Sequence, residues 1–320
     1  MIALLLACSL SHGPTVIEPG PGAELIVDGS LEARVRTGDG ADLILFYGGE
    51  EKGELGPCGC PKRPRGSLAR QAAYADAARQ SSPGAHTLFV NGGAWLQGAM
   101  GLNGEPRPDV PTINAWMARG MAELAPDALN VGYSDMAGLR ALDQDHDLPL
   151  VSANIRGPGI EPYRLVQLGD LTVALTGITT PGVSFIPTPG FEVLDPVKAG
   201  RSALQDASEH ADIVVMSAFM SPDSARKLAQ EGLVDVVVDT NLHREQSAPD
   251  RVGEAIWIRS HFETMRLGEL RIGLEDGRID WFVDRKIDMD DQLPADPALL
   301  DIEEAARHDI RRTQQQVFGP

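Results

Sequence analysis

The sequence is poor in cysteine and in basic residues. It has only three cysteines among 320 residues, and its 28 lysines and arginines stand against 46 acidic residues, which gives a formal net charge of -18. Polyanions repel a strongly acidic chain, so this balance argues against binding to nucleic acid or to an anionic membrane through bulk electrostatics. The local acidic cluster at 288–291 is typical of a solvated surface.

The chain also lacks internal repeats, low-complexity segments and any sign of a second folded domain. Its hydrophobic content of 42% and charged content of 23% are ordinary for a globular protein. A length of 320 residues is enough for a well-buried core. We predict a lipoprotein-type signal remnant and linker over residues 1–25, one folded domain over 26–285, and an acidic segment with a C-terminal helix over 286–320.

The N-terminal nine residues, Met1-Ile2-Ala3-Leu4-Leu5-Leu6-Ala7-Cys8-Ser9, are too short to span a bilayer and lack the basic residues of an ordinary signal. Leu5-Leu6-Ala7-Cys8 nevertheless resembles a bacterial lipobox, in which Cys8 becomes the lipidated first residue. A start codon placed too late explains the missing part, and the alternative is a frayed apolar N-terminus. Residues 9–25 are rich in Ser, Pro and Gly, as in a tether. We expect an exported periplasmic or outer-surface lipoprotein, anchored to the membrane at Cys8 in an oxidising compartment.

Apolar runs alternate with helical patterns and predict a layered α/β domain with a mixed sheet. The expected strands cover 42–47, 87–90, 128–131, 148–153, 164–168, 171–176, 212–216 and 235–238. The expected helices cover 67–80 with Ser67 as N-cap, 109–125, 135–143, 196–209, 222–231 and 297–316. Three further strands, 255–259, 266–274 and 278–285, are expected to close the domain as antiparallel neighbours.

Two of the three cysteines are one residue apart, in Cys58-Gly59-Cys60, between an expected strand and an expected helix. Thiols at this spacing are close enough to share a proton, a disulfide or a metal ion, and buried packing does not require the spacing. The start of the helix and a basic cluster before it both favour the reactive thiolate. That cluster consists of Lys62, Arg63 and Arg65. We interpret Cys58 as the attacking thiolate and Cys60 as the resolving thiol.

Other roles stay open for this loop. A disulfide within Cys-x-Cys closes a very small ring, which gains little chain entropy and is strained, so we favour an exchangeable disulfide over a structural one. The two sulfurs also suit a soft metal ion, copper(I) or zinc, although no resident cofactor is expected. The basic cluster has the alternative role of a solvated loop. The sequence does not identify a redox partner.

Short motifs follow successive strands in a fixed order. They are Gly66-Ser67-Leu68-Ala69-Arg70, Asn91-Gly92-Gly93-Ala94-Trp95, Asn130-Val131-Gly132-Tyr133-Ser134-Asp135, Ser152-Ala153-Asn154, Thr176-Gly177-Ile178-Thr179 and Leu267-Gly268-Glu269-Leu270. Over residues 40–285 their order and spacing resemble the calcineurin-like metallophosphoesterase superfamily, in its 5′-nucleotidase (UshA-like) branch. The resemblance implies an α/β fold, a four-layered α/β/β/α sandwich with mixed sheets.

That superfamily holds two metal ions with Asp, Asn and His at strand ends, and the metals activate a water for attack on phosphorus. No Asp or His lies between Leu43 and Pro57, where the first ligands should be. The other matching positions hold Ala94, Tyr133, Ser134, Ala218 and Asn241, and only His243 is retained. The resemblance therefore implies that phosphoesterase activity is lost. We expect Trp95 to fill the emptied site.

The cysteine loop resembles a sub-branch, the UshA-like (seleno)proteins. Their loop carries Cys-Gly-Cys or selenocysteine-Gly-Cys just before a Gly-Leu-Ala-Arg helix, and this chain departs by having Ser67 at the second Gly. Selenocysteine serves fast redox chemistry, so the resemblance implies a thiol redox role for Cys58. Two alternatives remain: a residual 5′-nucleotidase-like hydrolase, and a non-catalytic binding module or metal carrier.

Three further side chains are candidates near the loop. His243 and His261 both follow late strands, and we expect them at the same rim of the sheet as the cysteines, although a lone histidine is more often a surface or core residue. Arg70 is expected either to orient an anion at the helix start or to be structural.

Overall fold

The computed structural model describes residues 24–27, 29–58, 62–98, 100, 107–142, 147–180, 188–240, 249–261 and 263–319. The strands are β1 (Glu24–Val27), β2 (Leu43–Gly48), β3 (His86–Asn91), β4 (Ala128–Asn130), β5 (Leu150–Val151), β6 (Ile155–Arg156), β7 (Tyr163–Leu168), β8 (Leu171–Thr179), β9 (Glu192–Val193), β10 (Ile213–Phe219), β11 (Val236–Asp239), β12 (Asp250–Val252), β13 (Ala255–Arg259), β14 (Arg266–Glu275) and β15 (Arg278–Asp288). The helices are α1 (Leu31–Val35), α2 (Leu68–Ser81), α3 (Val110–Leu124), α4 (Asp135–Ala141), α5 (Pro196–Ser208), α6 (Pro222–Ala229) and α7 (Pro297–Phe318).

Two large mixed sheets form the centre of the molecule. The seven-stranded sheet has the order β1-β15-β14-β2-β3-β4-β5, and the six-stranded sheet has the order β12-β13-β11-β10-β8-β7. Strands β2 to β5 are parallel, as are β8, β10, β11 and β13, while β14 runs antiparallel to both β2 and β15. A small two-stranded sheet pairs β6 with β9. The carboxyl ends of the central parallel strands are therefore grouped at one edge of each sheet.

The apolar residues divide into layers that match this order. Leu43, Leu45 and Tyr47 of β2 face the core between the sheets, while Ile44 and Phe46 pack on the opposite face under α2. A strand buried on both faces reads as a continuous apolar run rather than an alternating one. On the outer side of the second sheet, α5 and α6 cover a separate cluster of small and branched residues. The expected four-layered α/β/β/α sandwich is confirmed.

The closing strands differ from the expectation in one respect. Strands β14 and β15 form the expected antiparallel pair, but β13 lies in the other sheet, parallel to β11, with Val236 opposite Ile256. The whole of β13 is buried, and the six-stranded sheet offers it a neighbour on each side, β11 and β12. Sequence proximity to β14 favoured the wrong partner, because consecutive strands are neighbours in roughly two-thirds of cases and β13 and β14 are an exception.

The C-terminal segment packs on the domain. Strand β15 continues to Asp288, and α7 lies against α2 and α3, where Leu299 and Ala306 are buried. In the part of the chain that the structure describes, no helix has the length and hydropathy needed to cross a bilayer. Cys8 lies outside the described residues, so the lipid anchor stays a prediction.

The Leu267-Gly268-Glu269-Leu270 motif has a packing explanation in β14. A Cβ atom on Gly268 would lie 2.1 Å from Cζ of Tyr47, so the glycine makes room for the buried ring on β2. Glu269 is fully buried and takes ion pairs from Arg271 at 2.8 Å and from Arg285 at 2.9 Å. The motif therefore contributes to the fold rather than to a site.

Candidate functional site

The carboxyl ends of β3, β4, β8 and β11 meet in a buried hydrogen-bonded group, which we call the strand-end cluster: Gly92, Asn130, Thr179 and Thr240. The Asn130 side-chain amide donates to the Gly92 carbonyl at 2.8 Å, and the Thr179 hydroxyl donates to the carbonyl of Val131 at 2.7 Å. The Thr240 hydroxyl lies 3.2 Å from the same Gly92 carbonyl. These bonds join the two sheets at the edge where the resemblance places a metal site.

Backbone and side chains fill this edge tightly. A Cβ on Gly92 would lie 1.8 Å from Cγ2 of Thr240, and a Cβ on Gly177 would lie 2.0 Å from Oδ1 of Asn130. Real Cβ atoms do not approach other atoms so closely, so only glycine fits at either position. Trp95, expected to fill this space, packs instead in the apolar cluster that includes Leu55 and Met117, under the helices.

The positions that match metal ligands have other roles. The N–H of Ala94 donates to Asp135 at 2.8 Å, and Ala218 is buried within β10. Tyr133 is 41% exposed and its ring packs on Phe219, with 5.6 Å between ring centroids. Ser134 lies at the start of α4 without a side-chain capping bond. Asn241 and His243 lie outside the described residues.

Two buried carboxyl groups lie beside the strand-end cluster. Asp135 accepts hydrogen bonds from the N–H groups of Ala94, Leu96 and Gly132, at 2.7–2.9 Å. Oε1 of Glu51 accepts from Asn91 at 2.8 Å, while its Oε2 has no hydrogen-bond partner among the residues that the structure describes. Burial raises the pKa of each carboxyl group to about 7, in spite of these donors. Each carboxyl group is therefore partly protonated near neutral pH.

We tested these residues against the donor set of a two-metal centre. Such a centre needs several Asp, His or Glu side chains that converge on one point. No group of three or more His, Cys, Asp or Glu side chains converges in the described part of the chain. Within the described ranges, one oxygen of Glu51 and Oδ1 of Asn130 have no hydrogen bond, but the Asn130 oxygen faces the backbone of Gly177. The described residues by themselves do not fit a dinuclear centre.

The chain closes a short loop around Cys58. The N–H of Cys58 donates to the carbonyl of Arg65 at 2.7 Å, and the N–H of Arg65 lies 3.3 Å from Sγ of Cys58. This pair of bonds fixes the thiol next to the start of α2. Cys58 is half-buried. Gly59 and Cys60 lie outside the described residues, so the disulfide between the two cysteines stays a prediction.

The basic residues predicted near Cys58 differ in whether they contact the rest of the protein. Arg65 forms an ion pair with Asp288 at 2.9 Å, and the Arg70 guanidinium donates to the carbonyls of Pro64, Gly66 and Met289 at 3.1–3.3 Å. Arg70 thus holds the loop, which is the structural one of its two expected roles. Lys62 and Arg63 are exposed. They and Arg65 remain candidates for a long-range effect on the thiol.

Acidic side chains line the space next to the thiol. Cys58 opens into a pocket of about 190 Å³, whose other lining residues are Glu54, Gly56 and Glu263. Burial, followed by the charge of Glu263, raises the pKa of Glu54. His261 follows β13 but is not among these lining residues. Neither glutamate was predicted from the sequence, because Glu263 is distant from Cys58 along the chain and no motif marks Glu54 or Glu263.

The start of α2 is already occupied by an anion of the protein itself. The Ser67 hydroxyl accepts from the N–H of Arg70 at 3.1 Å, which confirms Ser67 as the N-cap. The same hydroxyl donates to buried Glu303 of α7 at 2.7 Å, and Glu303 also accepts from the N–H of Ala69 at 2.9 Å. A carboxylate at a helix start satisfies free N–H groups and the helix dipole. A second anion therefore does not fit at this helix start.

Several non-glycine residues with positive φ lie between the strand-end cluster and the cysteine loop. Glu50 (57°), Lys52 (50°) and Ala94 (57°) occur where the segment 49–54 crosses the loop after β3, and Glu263 (53°) donates its N–H to the carbonyl of Glu50. Ser67, where the resembling proteins have glycine, has φ 129°. Strained backbone of this kind is retained where surrounding contacts impose it, and it concentrates at functional sites.

Comparisons with known proteins identify the fold. No protein-family model and no curated protein matches the chain. Among solved structures, the sulfate thiohydrolase SoxB of Thermus thermophilus superposes with a TM-score of 0.69 at 16% identity, covering 85% of this chain and 61% of that one. A 5′-nucleotidase precursor from the same organism gives a TM-score of 0.66 at 19% identity, with coverage of 84% and 59%. The NAD nucleotidase of Haemophilus influenzae gives 0.65 at 12% identity, with coverage of 86% and 67%.

The chain therefore has the metallophosphoesterase-like fold of the 5′-nucleotidases. It spans about three fifths of the length of the first two of these proteins. At these identities the similarity shows the fold alone.

Proposed function

We propose that this protein belongs to the UshA-like (seleno)protein type of the metallophosphoesterase fold, has lost the dinuclear metal site, and uses the Cys58-Gly59-Cys60 loop for thiol–disulfide exchange. The main observation in support of the proposal is a contrast between the strand ends and the surroundings of Cys58. The strand ends are closed by bonds within the chain, whereas Cys58 opens into a pocket. Reactive cysteines are partly exposed, and Cys58 is half-buried.

The exchange has two steps. The Cys58 thiolate attacks one sulfur of a partner disulfide; a Cys58–partner bond forms, the partner's own S–S bond breaks, and one partner sulfur leaves as a thiolate. The Cys60 thiolate then attacks the Cys58 sulfur, which forms the Cys58–Cys60 disulfide and releases the second partner thiolate. The protein is oxidised and the partner is reduced. The Arg65 N–H, 3.3 Å from Sγ, stabilises negative charge on the Cys58 sulfur.

The decisive experiment traps the first step. In a Cys8→Ser background, the reduced Cys60→Ser variant should accumulate a mixed disulfide at Cys58 when it is treated with oxidised glutathione, and mass spectrometry should locate it. The matched Cys58→Ser variant should accumulate far less, because Cys60 is proposed to resolve rather than attack. Equal trapping in both variants, or trapping in neither, would remove the redox assignment.

Membrane attachment at Cys8 belongs to the same proposal, because export places the loop where disulfides form. The gene should be expressed with additional upstream sequence, and the cells fractionated. Wild-type protein is expected with the membranes, and a Cys8→Ala variant in the soluble fraction. A wild-type protein that retains residues 1–7 and stays soluble contradicts the lipobox interpretation.

The fold supports one competing function, a residual phosphoesterase. Its test is an assay of the purified protein on aryl phosphates and nucleotides with added manganese, zinc or calcium. We expect no metal-dependent turnover, because the matching positions of Ala94, Tyr133 and Ala218 supply no ligand side chain of the required type. Turnover of about 1 per second or faster, an ordinary enzymatic rate, would replace the redox proposal with this one. Bound-metal analysis of the same sample tests the soft-metal alternative at the two cysteines.

A further inference from the structure

The pocket beside Cys58 has two carboxylates and no cation on the part of its lining that the structure describes. Apart from Cys58 and Gly56, it is lined by Glu54 and Glu263. Neither carboxylate forms a hydrogen bond or an ion pair with another described residue. Burial, followed by the charge of Glu263, raises the pKa of Glu54, as expected where two like charges lie close together. The pocket therefore presents negative charge next to the thiol that no described residue neutralises by contact.

The arginines around this pocket have carboxylates of their own. The Arg65 guanidinium pairs with Asp288 at 2.9 Å, and Asp288 also pairs with Arg266 at 2.6 Å. Arg107, the other arginine whose charge reaches the lining, pairs with buried Asp109 at 2.7 Å. None of these three arginines lines the pocket. Contact with a group that enters the pocket is therefore left to the two glutamates.

Distance decides between these glutamates and the basic side chains outside the pocket. Lys62 and Arg63 are exposed and do not line it. Exposed charges are largely screened from each other beyond about 8 Å at physiological ionic strength. A group inside the pocket meets the lining carboxylates at contact distance, where the Coulomb interaction is strongest. A molecule that reaches the Cys58 sulfur through this opening therefore meets negative charge at close range.

We propose that Glu54 and Glu263 make Cys58 selective for disulfides that carry a positive charge next to their sulfur atoms. This inference rests on the thiol–disulfide exchange proposed above, and it adds the chemical class of the partner: a disulfide flanked by ammonium or guanidinium groups. The bonds that form and break are those already described for the exchange. The glutamates contact the cationic group and take no part in the transfer of electrons or protons, so they determine specificity.

The test measures how fast a mixed disulfide forms at Cys58 in the full chain with Cys8→Ser and Cys60→Ser, which stops the exchange after its first step. Mass spectrometry follows the reaction at about pH 8 with three small reagents: the dication cystamine, the neutral bis(2-hydroxyethyl) disulfide and the dianion 3,3′-dithiodipropionate. Each rate is divided by the rate of the neutral reagent, which cancels the thiolate fraction. It is then divided by the same ratio for N-acetylcysteinamide, a neutral thiol, which cancels the intrinsic reactivity of the reagent.

On this scale cystamine should react about tenfold or more faster than the dianion, a preference that two partly exposed ion pairs supply. The double variant Glu54→Gln, Glu263→Gln should lower the preference about fivefold or more, and each single variant should give an intermediate value. Salt at about 1 M should also lower it in the unsubstituted protein, because it screens exposed charges.

The matched control separates the pocket from the acidity of the whole chain. Glu209→Gln changes an exposed glutamate at the end of α5, removes the same charge as either single variant, and should leave the preference unchanged. Circular dichroism verifies that each variant is folded, and the single variants decide the outcome if the double variant is not.

The possible failures of the exchange and of the charge selection differ. If the neutral reagent forms no mixed disulfide at Cys58, the exchange itself is wrong and this inference is wrong with it. If the neutral reagent reacts, three results overturn the charge selection alone. They are equal normalised rates for the three reagents, a preference for the dianion, and equal effects of the Glu54, Glu263 and Glu209 substitutions.

Discussion

The strand-end cluster and the Cys58 pocket are neighbours with opposite construction. In the first, Thr240 and Asn130 fill the available space and their polar groups bond to backbone carbonyls of both sheets. In the second, a thiol and two glutamates line an opening of about 190 Å³. The segment 49–54 connects them through hydrogen bonds to the loop after β3 and to Glu263. One region is thus closed by contacts within the chain, and the other leaves a side chain accessible from a pocket.

The largest expected effect tests how tightly the strand-end cluster is closed. Gly92→Ala places a Cβ 1.8 Å from Cγ2 of Thr240, and we expect a loss of about 3 kcal/mol in the free energy of unfolding, at the upper end for overpacking. Gly56→Ala, whose nearest atom is Oε2 of Glu303 at 3.5 Å, should change it by less than about 0.5 kcal/mol. Denaturant titration of both variants measures the contrast.

A second substitution tests whether the stability lost in Gly92→Ala comes from the contact between residue 92 and Thr240. Thr240→Ser removes Cγ2 but keeps the hydroxyl, so the Gly92→Ala, Thr240→Ser double variant should recover most of the stability that Gly92→Ala loses. Similar losses for Gly92→Ala and Gly56→Ala, or no recovery in the double variant, would show that the strand-end cluster is not closed in the way described.

The next effect concerns the contact between α7 and the start of α2. Glu303→Ala leaves the Ser67 hydroxyl and the Ala69 N–H without their partner, and we expect a loss of about 2 kcal/mol, the usual range for buried groups left unsatisfied. Because Cys58 is bonded to Arg65 just before α2, alkylation of Cys58 should also accelerate in this variant. Glu304→Ala, exposed on the next position of α7, is the control and should alter neither measurement.

The third effect is a pH dependence. Burial raises the pKa of Glu51 from 4.5 to about 7 in the folded state, so between these values the folded protein keeps a proton that the unfolded chain has released. The free energy of unfolding therefore falls as pH rises through this window and levels off above it. Glu51→Gln keeps an acceptor for Asn91 and removes the titration, so it should match wild type near pH 4.5 and exceed its stability at pH 8 by about 1–3 kcal/mol.

Asp135 shifts in the same direction and remains in the Glu51→Gln variant, so the informative quantity is the difference between variant and wild type at each pH. Glu304→Gln serves as the comparison, since this side chain is exposed. A difference that is constant from pH 4.5 to 8 would mean that Glu51 does not hold its proton in the fold.

The smallest expected effect is at Ser67, on the border between the two regions. Its φ of 129° favours glycine, whereas its hydroxyl caps α2 and contacts Glu303. Relief of strain and loss of the cap are each about 1 kcal/mol and opposite in sign, so Ser67→Gly should change the free energy of unfolding by less than about 0.5 kcal/mol. Ser67→Ala loses the cap without relieving the strain and should be clearly less stable. Equal stability of the two variants would contradict this balance.

Local patterns in the sequence were sufficient for most elements. The run over 42–47 predicted β2, because a strand buried on both faces must be apolar throughout, and Ser67 predicted the start of α2, because helix N-caps need a side-chain acceptor. The short elements β1, β6, β9 and β12 were missed, since two to four residues carry no periodicity. The two-sheet architecture followed from the resemblance and not from periodicity.

The site was predicted less completely than the fold. Cys58 was recognised because its spacing from Cys60 is unusual, but its acidic neighbours were not, since Glu54 and Glu263 resemble any surface glutamate in sequence. Arg70 was expected either to orient an anion or to be structural. Only the structure shows that its guanidinium donates to three backbone carbonyls. It also shows that Glu303 already occupies the start of α2.

The sequence by itself determined the acidic character of the chain, the order of strands and helices, the cysteine pair and the missing ligand types, because each of these depends on residues close together along the chain. Only the tertiary structure decided that β13 joins the second sheet, that Thr240 lies against Gly92, and that Glu263 lines the same pocket as Cys58. These contacts join segments far apart in sequence, and they depend on which surfaces remain free once the sheets have packed, which no local pattern encodes.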